Sequence, residues 1–337
     1  HTGFRVAGMA LLLEGAFAPG QALAGVSEVD FFIDMPVVLS PMRLSQPVAD
    51  APSAVTVIDR DMIRAAGVTH LLDVFRLVPG FSVAHQDGHV GTLTYHGLGD
   101  GYARRFQVLI DGRSVYSPDF GQVYWRNLPL SLEDIDRIEV IRGPAAASYG
   151  ANAFMGVINI LTRSDEDGAR MGFMAGAGER GYRELSARVG AASEAGSWRL
   201  SAGQRADDYY ADVADDVRDR YADGRGDWRI THADTLSVMS GVANSRLDDD
   251  AAAGQIFPVN VHSAYGQISW RRLHGADAET RLAYDLTRQT YGDSLDLGGV
   301  SPLDLGFSTF RQNLSAGWKG AWGSRVRAAL GMEYRTD

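Results

Sequence analysis

The chain has 337 residues, 32 basic against 42 acidic side chains, a formal net charge of -10, 45% hydrophobic residues and no cysteine. One core stops growing at ~250 to 300 residues, so more than one structural unit is expected. The missing cysteine excludes disulfides, Cys-based zinc sites and a thiol nucleophile. An acidic chain without a Lys/Arg block argues against nucleic acid as a partner, because phosphate binding needs clustered positive charge.

Arg5 precedes an apolar run from Val6 to Phe17 that only Glu14 interrupts, and Ala22 and Ala24 stand where a signal peptidase reads small residues. The pattern predicts a secretory leader over residues 1–24, with a buried N-terminal helix as the alternative. No later run reaches ~18 apolar residues, so no transmembrane helix is expected. Residues 25–52 hold Pro36, Pro41, Pro47 and Pro52 without a helical period and read as an extended lead-in.

Residues 53–168 read as a small α+β domain. Ala54 to Ile58 is a β-branched strand, and Asp59 caps a helix from Arg60 to Ala66 that stops at Gly67. A second helix starts with Thr69 as its cap, places Leu71, Leu72, Phe75 and Val78 on one face, and ends at Pro79-Gly80. Phe106 to Ile110 is a strand closed by an Asp111-Gly112 turn, and Ser131 opens a capping-box turn. Asp136 to Arg142 and Gly156 to Leu161 complete the strands. The segments 83–96 and 114–127 read as long polar and aromatic loops.

After Gly168 the period becomes two. Leu185, Ala187 and Val189 alternate with Ser186, Arg188 and Gly190, and the same alternation recurs from Trp198 to Tyr334. Either an ordinary antiparallel sheet or a membrane barrel could carry it. Connection lengths separate the two. Short links such as Ala192 to Ser197, His232 to Asp234, Leu273 to Ala278 and Gly320 to Ser324 alternate with long ones at Asp207 to Asp223, Arg246 to Asn260 and Tyr291 to Leu305. That asymmetry belongs to outer-membrane barrels. Trp198, Trp228, Trp270, Trp318, Trp322 and Tyr334 near strand ends fit an interfacial girdle.

Residues 136–162 read DRIEVIRGPAAASYGANAFMGVINILT. This stretch resembles the plug domain of TonB-dependent outer-membrane receptors, whose hallmark is IEVIRGP, small residues, YG and then GVINI. Leu77 to Gly80 and Val108 to Gly112 occur in the family's order, and Asp34, Met35, Pro36, Val37, Val38, Leu39 and Ser40 look like its TonB box. The resemblance implies an α+β plug followed by antiparallel transmembrane β-barrel strands in the outer membrane of a Gram-negative bacterium. Its barrel has 22 strands, which the residues after 168 cannot supply at ~9 to 11 residues per strand plus turns. The expectation is therefore a piece of a longer receptor, with about nine strands over 169–337.

Arg137, Glu139 and Arg142, with Gly143, Tyr149 and Gly150 beside them, form a candidate latch whose charges could pair with an enclosing wall. The alternative is a solvated strand face. His85, His89 and His96 are polar loop residues or ligands of a metal chelate or haem, and Tyr116, Phe120, Tyr124 and Trp125 are local packing or ligand contacts. Asp207, Asp208, Asp212, Asp215, Asp216 and Asp219, with Asp248 to Asp250, read as solvated loop charges or as a divalent-ion bridge. Gly97 to Gly101 departs from the dinucleotide fingerprint at Tyr102.

No resident metal, cofactor or catalytic cluster is expected, and an enzyme is not. The resemblance implies uptake of a ferric siderophore, another metal chelate or cobalamin, driven by TonB and its inner-membrane energising complex, with outer-membrane lipid around the barrel. A ligand-binding or adhesion protein without coupled transport is the alternative.

Overall fold

The computed structural model describes residues 37–39, 45–47, 54–85, 91–98, 105–118, 121–145, 149, 152–164, 170–208, 216–251, 255–275, 278–292, 294–295, 303–304, 306–322 and 326–337. Of the lead-in, β1 (Val37–Leu39) and β2 (Ser45–Pro47) pair antiparallel, Val37 opposite Pro47 and Leu39 opposite Ser45. Residues 1–36, which include the expected leader, lie outside the described residues.

The N-terminal unit is built on a five-stranded sheet. β3 (Ala54–Asp59) passes directly into helix α1 (Arg60–Ala66), because the Asp59 carboxylate accepts from the Met62 N–H at 2.8 Å. Gly67 ends the helix in the left-handed region at φ 62. Helix α2 (Leu71–Val74) tightens into a 3-10 turn over Phe75–Leu77. A hairpin of β4 (Phe81–His85) and β5 (Gly91–Tyr95) follows, then β6 (Phe106–Ile110), β7 (Arg113–Ser114), β8 (Ile135–Arg142) and β9 (Gly156–Thr162). The sheet order is β3-β8-β9-β6-β7, with β6 and β9 parallel and the other neighbours antiparallel.

Apolar side chains cover both faces of this sheet, which is why β6, β8 and β9 read as nearly continuous apolar runs. One face, with Val108, Ile138, Ile158 and Ile160, packs with Ile63, Leu72 and Phe75 of the helical segment. The other face, with Leu109, Ile141 and Val157, is covered by Ala145, Tyr149 and Ala153. At Gly156 an added Cβ would stand 2.2 Å from the Ile141 carbonyl oxygen, so only glycine lets β9 start against β8.

The second element is an antiparallel sheet of nine strands: β10 (Arg170–Ala177), β11 (Arg183–Ser193), β12 (Gly196–Asp208), β13 (Asp216–Arg229), β14 (Asp234–Ala251), β15 (Gln255–Leu273), β16 (Glu279–Gly292), β19 (Phe307–Trp322) and β20 (Val326–Thr336). The two-residue strands β17 (Ser294–Leu295) and β18 (Leu303–Asp304) pair with each other between β16 and β19. Consecutive strands of the large sheet pair in order, and among the described residues its outer strands β10 and β20 do not meet.

Burial in this sheet is inverted relative to a soluble protein. Leu185, Leu200, Val242, Ile268, Leu282 and Leu314 are exposed, while Arg199, Asp223, Gln267, Asp285 and Asn313 are buried. A sheet with lipid outside and a protein-filled lumen inside shows this pattern. Trp198, Trp228, Trp270 and Trp318 lie toward the short-turn ends of their strands, whereas Tyr334 stands opposite Leu314 in mid-sheet.

Four sequence expectations change. The cap position of the second helix is His70 and not Thr69, and the His70 side chain makes no capping bond. Segment 83–96 is mostly hairpin, because Val83 and Leu93 enter the core. Strand pairing runs into both acidic stretches: β13 starts at Asp216, and β14 and β15 pair out to Ala251 opposite Gln255. Segment 114–127 is anchored by buried Val115, Tyr116, Val123 and Trp125.

Phe75 is fully buried, with its ring 5.3 Å from that of Trp125. Phe75→Ala is expected to destabilise the unit by about 3 to 5 kcal/mol, read as faster amide hydrogen exchange across β6, β8 and β9.

Candidate functional site

The two elements meet along a seam made of charged and hydrogen-bonding side chains. Asp111 and Gly112, with φ of 50 and 85, form the two-residue turn between β6 and β7. That turn aims the Asp111 carboxylate at the end of β9 and at the wall. It accepts from the Thr162 N–H at 3.0 Å, the Thr162 hydroxyl at 2.7 Å and Arg225 Nη1 at 3.1 Å. The Asp111 carbonyl accepts from Gln267 at 3.3 Å and Arg281 at 3.1 Å. Arg225 is itself oriented by Asp227, at 2.6 Å.

Asp134, in the 3-10 turn before β8, lies 2.9 Å from Arg199 and 3.6 Å from Arg188. Arg199 also donates to Asp223 at 2.6 Å, and Asp223 accepts from the Tyr265 hydroxyl. Toward the long-loop end the signs reverse. Arg126 of the unit makes a two-pronged bond to Asp207 of β12, at 2.7 and 3.2 Å, and approaches Asp219 of β13 at 3.4 Å. His70 Nε2 lies 2.9 Å from the same Asp207, which explains why it does not cap α2. Between these levels the Asn127 amide donates to Ser245 at 2.9 Å and to the Val261 carbonyl at 3.0 Å.

The expected latch residues are engaged differently. Arg137 pairs with Asp136 and with Glu139, both at 2.9 Å, and Glu139 accepts from Asn159 at 3.2 Å. Arg142 donates to the Pro79 carbonyl, Gly143 donates its N–H to Met155, and Tyr149 packs in the core. These contacts lie inside the unit because β8 runs between β3 and β9. Gly150 lies outside the described residues, as do Asp34, Met35, Pro36 and Ser40 of the expected box.

Of the expected ligand contacts, Tyr116 and Trp125 are core residues at 5% and 6% exposure, and Tyr116 also lines a crevice beside Tyr124. His85 sits 3.3 Å from Asp73, and the His96 ring lies tilted, 4.2 Å from that of Tyr95. His89 and Phe120 lie outside the described residues. Among the described residues of the group two reach the wall: the Tyr124 ring is 6.5 Å from Tyr291, which stacks on Phe307 at 5.0 Å, and the Tyr116 carbonyl accepts from Arg311 of β19. The crevice opens between segment 113–129 and strands β15, β16 and β19, lined by Arg113, Tyr124, Tyr265, Gln289 and Arg311. Among the described residues no cluster of three His, Asp or Glu is placed to hold a metal ion.

Sequence reasoning missed Arg126 and Asp134, read Asp111 only as a turn residue, and read Asp207 and Asp219 as loop charges or an ion bridge. For the wall a signal existed. Arg199, Ser201, Arg205 and Asp207 are two or four residues apart and all buried, so the alternation continues through what read as loop charge.

A domain sealed by its own core and seated against lumen-facing charge defines the class. Residues 47–157 match the family described as the TonB-dependent receptor plug domain. This part of the chain belongs to that family, and the strands after it are a wall of the same kind. The chain is similar to the vitamin B12 transporter BtuB of Vibrio vulnificus (strain CMCP6), 32% identical over 152 residues, 44% of this chain and 24% of that protein. It is also similar to the iron-regulated outer membrane virulence protein of Vibrio cholerae, 32% identical over 142 residues, 40% and 21% of the two chains. Its fold matches the ferric enterobactin receptor PfeA of Pseudomonas aeruginosa, with a TM-score of 0.67, 19% identity, and 89% of this chain covering 50% of that one. The siderophore receptor PirA of Acinetobacter baumannii matches with a TM-score of 0.67, 18% identity, and 86% covering 48%. The chain thus spans about a quarter of the curated relatives it matches and half of the solved receptors.

Within the plug, Asp73 of α2 holds β4 through His85. Burial pushes its pKa up, but hydrogen bonds from His85 and Arg76 outweigh that and bring it from 3.8 to about 2. A depressed carboxylate stabilises the fold above its unfolded pKa, and that stability is lost as pH falls from near 4 through about 2. Asp73→Asn is expected to flatten this acid limb, by at most about 2 kcal/mol, in pH-dependent unfolding followed by near-UV circular dichroism.

Proposed function

We propose that this chain is the plug-bearing part of an energy-coupled outer-membrane receptor that imports a scarce metal chelate, a ferric siderophore above all, or cobalamin. One observation carries the reading. Among the described residues the apolar clusters stop at the seam: one set holds plug residues alone, and the wall cluster of Val217, Leu247, Val259 and Val261 takes in Tyr291 but no plug residue. Across the seam the described contacts include ion pairs, hydrogen bonds and the stacking of Arg113 over Tyr265. Polar groups parted from one another can be taken up by water, so such a seam can open and close, whereas a fused apolar core could not.

The choice of ligands is supported by relatives and structural neighbours named as a vitamin B12 transporter and siderophore receptors. In this reading Tyr124 and the crevice beside it lie on the ligand's side. Residues 1–24 are a leader, 25–52 the lead-in, 53–168 the plug and 169–337 the first nine strands of the barrel. TonB, energised from the inner membrane, captures Asp34 to Ser40 by strand addition in the periplasm, and lipid surrounds the wall. The family is one of receptors and not of enzymes.

The test is growth of a receptor-deleted host carrying the full-length protein on defined iron or cobalamin sources. Rescue by none of them sinks the reading. Strand addition depends on backbone N–H groups, and Pro36 already lacks one, so Met35, Val37 and Leu39 carry the donors that face the partner. Val37→Pro is expected to abolish uptake with surface binding intact, and Val38→Pro to be milder. Tyr124→Ala is expected to weaken surface binding without loss of assembly; equal loss of binding and uptake in Val37→Pro would place residues 34–40 in the folded plug.

A further inference from the structure

We infer that Asp111 is the anchor that holds the exit corner of the plug shut against the wall, a positioning role for a residue outside the hallmark stretch. Three parts of the molecule converge on it. Its turn joins β6 to β7, its carboxylate takes both the N–H and the hydroxyl of Thr162, and Arg225 of the wall donates to that carboxylate as well as to the Thr162 carbonyl at 3.1 Å and hydroxyl at 3.0 Å. Thr162 is the last residue of β9, where the chain leaves the plug sheet toward the wall. Arg281 and Gln267 close on the Asp111 carbonyl from β16 and β15, so one plug residue is tied to three wall strands.

The site is closely packed. Asp111 is 8% exposed, and a Cβ on the neighbouring Gly112 would come within 3.3 Å of the Arg281 guanidinium. Residues 111 and 112 both have positive φ, a conformation that Asp, Asn and Gly adopt most readily. The turn therefore needs a short polar residue at 111, and the wall needs that residue to be charged. The opposite edge of the sheet, β3, is the strand that continues from the lead-in. With Asp111 fixed, displacement of the plug starts from the β3 edge and the exit corner stays in register for reclosure.

This inference rests on the receptor reading, but its test needs neither ligand nor TonB. Full-length receptor carrying Asp111→Asn, Arg225→Gln or both would be reconstituted in planar bilayers and its ionic leak recorded without ligand. Asn keeps the turn, and its Oδ1 can still accept the Thr162 N–H, while the charge facing Arg225 and the acceptor of the Thr162 hydroxyl are removed; Arg225→Gln removes the same ion pair without touching Asp111. Each single variant is expected to assemble as the parent does and to raise the leak roughly tenfold or more, since the ion pair that ties the plug turn to β13 is lost while Asp227 holds residue 225 on the wall side. The double variant should leak no more than the worse single one, because both remove the same contact. Parent-like leak in Arg225→Gln, or additive effects in the double variant, overturns the proposal. If Asp111→Asn fails to reach the folded state, Arg225→Gln decides by itself. A leaking variant that still supports growth leaves the receptor reading intact, and a silent receptor that leaks as expected counts against that reading and not against the anchor.

Discussion

A sheet with hydrocarbon on one side can place its polar groups only on the other, and the rest of this molecule follows from that constraint. Backbone groups are satisfied by neighbouring strands, so the side chains alone decide what the inner face looks like. Here the inner face carries Arg199, Arg225, Asp207, Asp219 and Asp223. Charges held away from water need partners, and the plug supplies them from its turns and short helical segments, while its three central strands are mainly apolar and settle Glu139 and Asn159 against each other. The division of labour is spatial: strands build the plug's core, and connections meet the wall.

The signs along the seam do a second job. Plug carboxylates meet wall arginines toward the short turns, and a plug arginine meets wall aspartates toward the long loops. A plug shifted along the lumen would bring like charges together and strand others, at about 3 to 5 kcal/mol for each buried charge left alone. The pairs thus contribute little to net stability compared with an apolar seam, but they define one depth and one orientation. Low net strength and high positional discrimination are what the proposed receptor would require of a part that leaves its seat and returns to it.

Much of the fold was legible because local signals agreed with the global one. Asp59 and Gly67 bound a helix in the sequence and in space, Asp111-Gly112 makes the expected turn, and the period of two continues strand after strand. Legibility failed where a residue's partner is distant in sequence. Trp125 in a polar loop reads like Tyr124, yet one packs against Phe75 and the other meets Tyr291. Glu139 looked like a wall contact because charge in a strand suggests an exposed face, but Arg137 and Asn159 satisfy it inside the plug. Asp207 looked like loop charge because acidic runs usually are, although it continues the alternation of Arg199, Ser201 and Arg205, and Arg126 and His70 seat against it.

The paired strands β14 and β15 carry one more implication. At 18 and 19 residues they are about twice the length needed to cross a bilayer. With about 3.4 Å per residue and a tilt near 45°, such a hairpin rises about 40 Å, against an apolar band of about 25 Å. The excess is hydrogen-bonded ribbon, not slack chain, and it stands clear of the lipid at the long-loop end. A molecule arriving from outside would first touch a stiff parapet that surrenders little disorder on contact, so first capture there is limited by shape and diffusion, and not by the ordering of a loose loop.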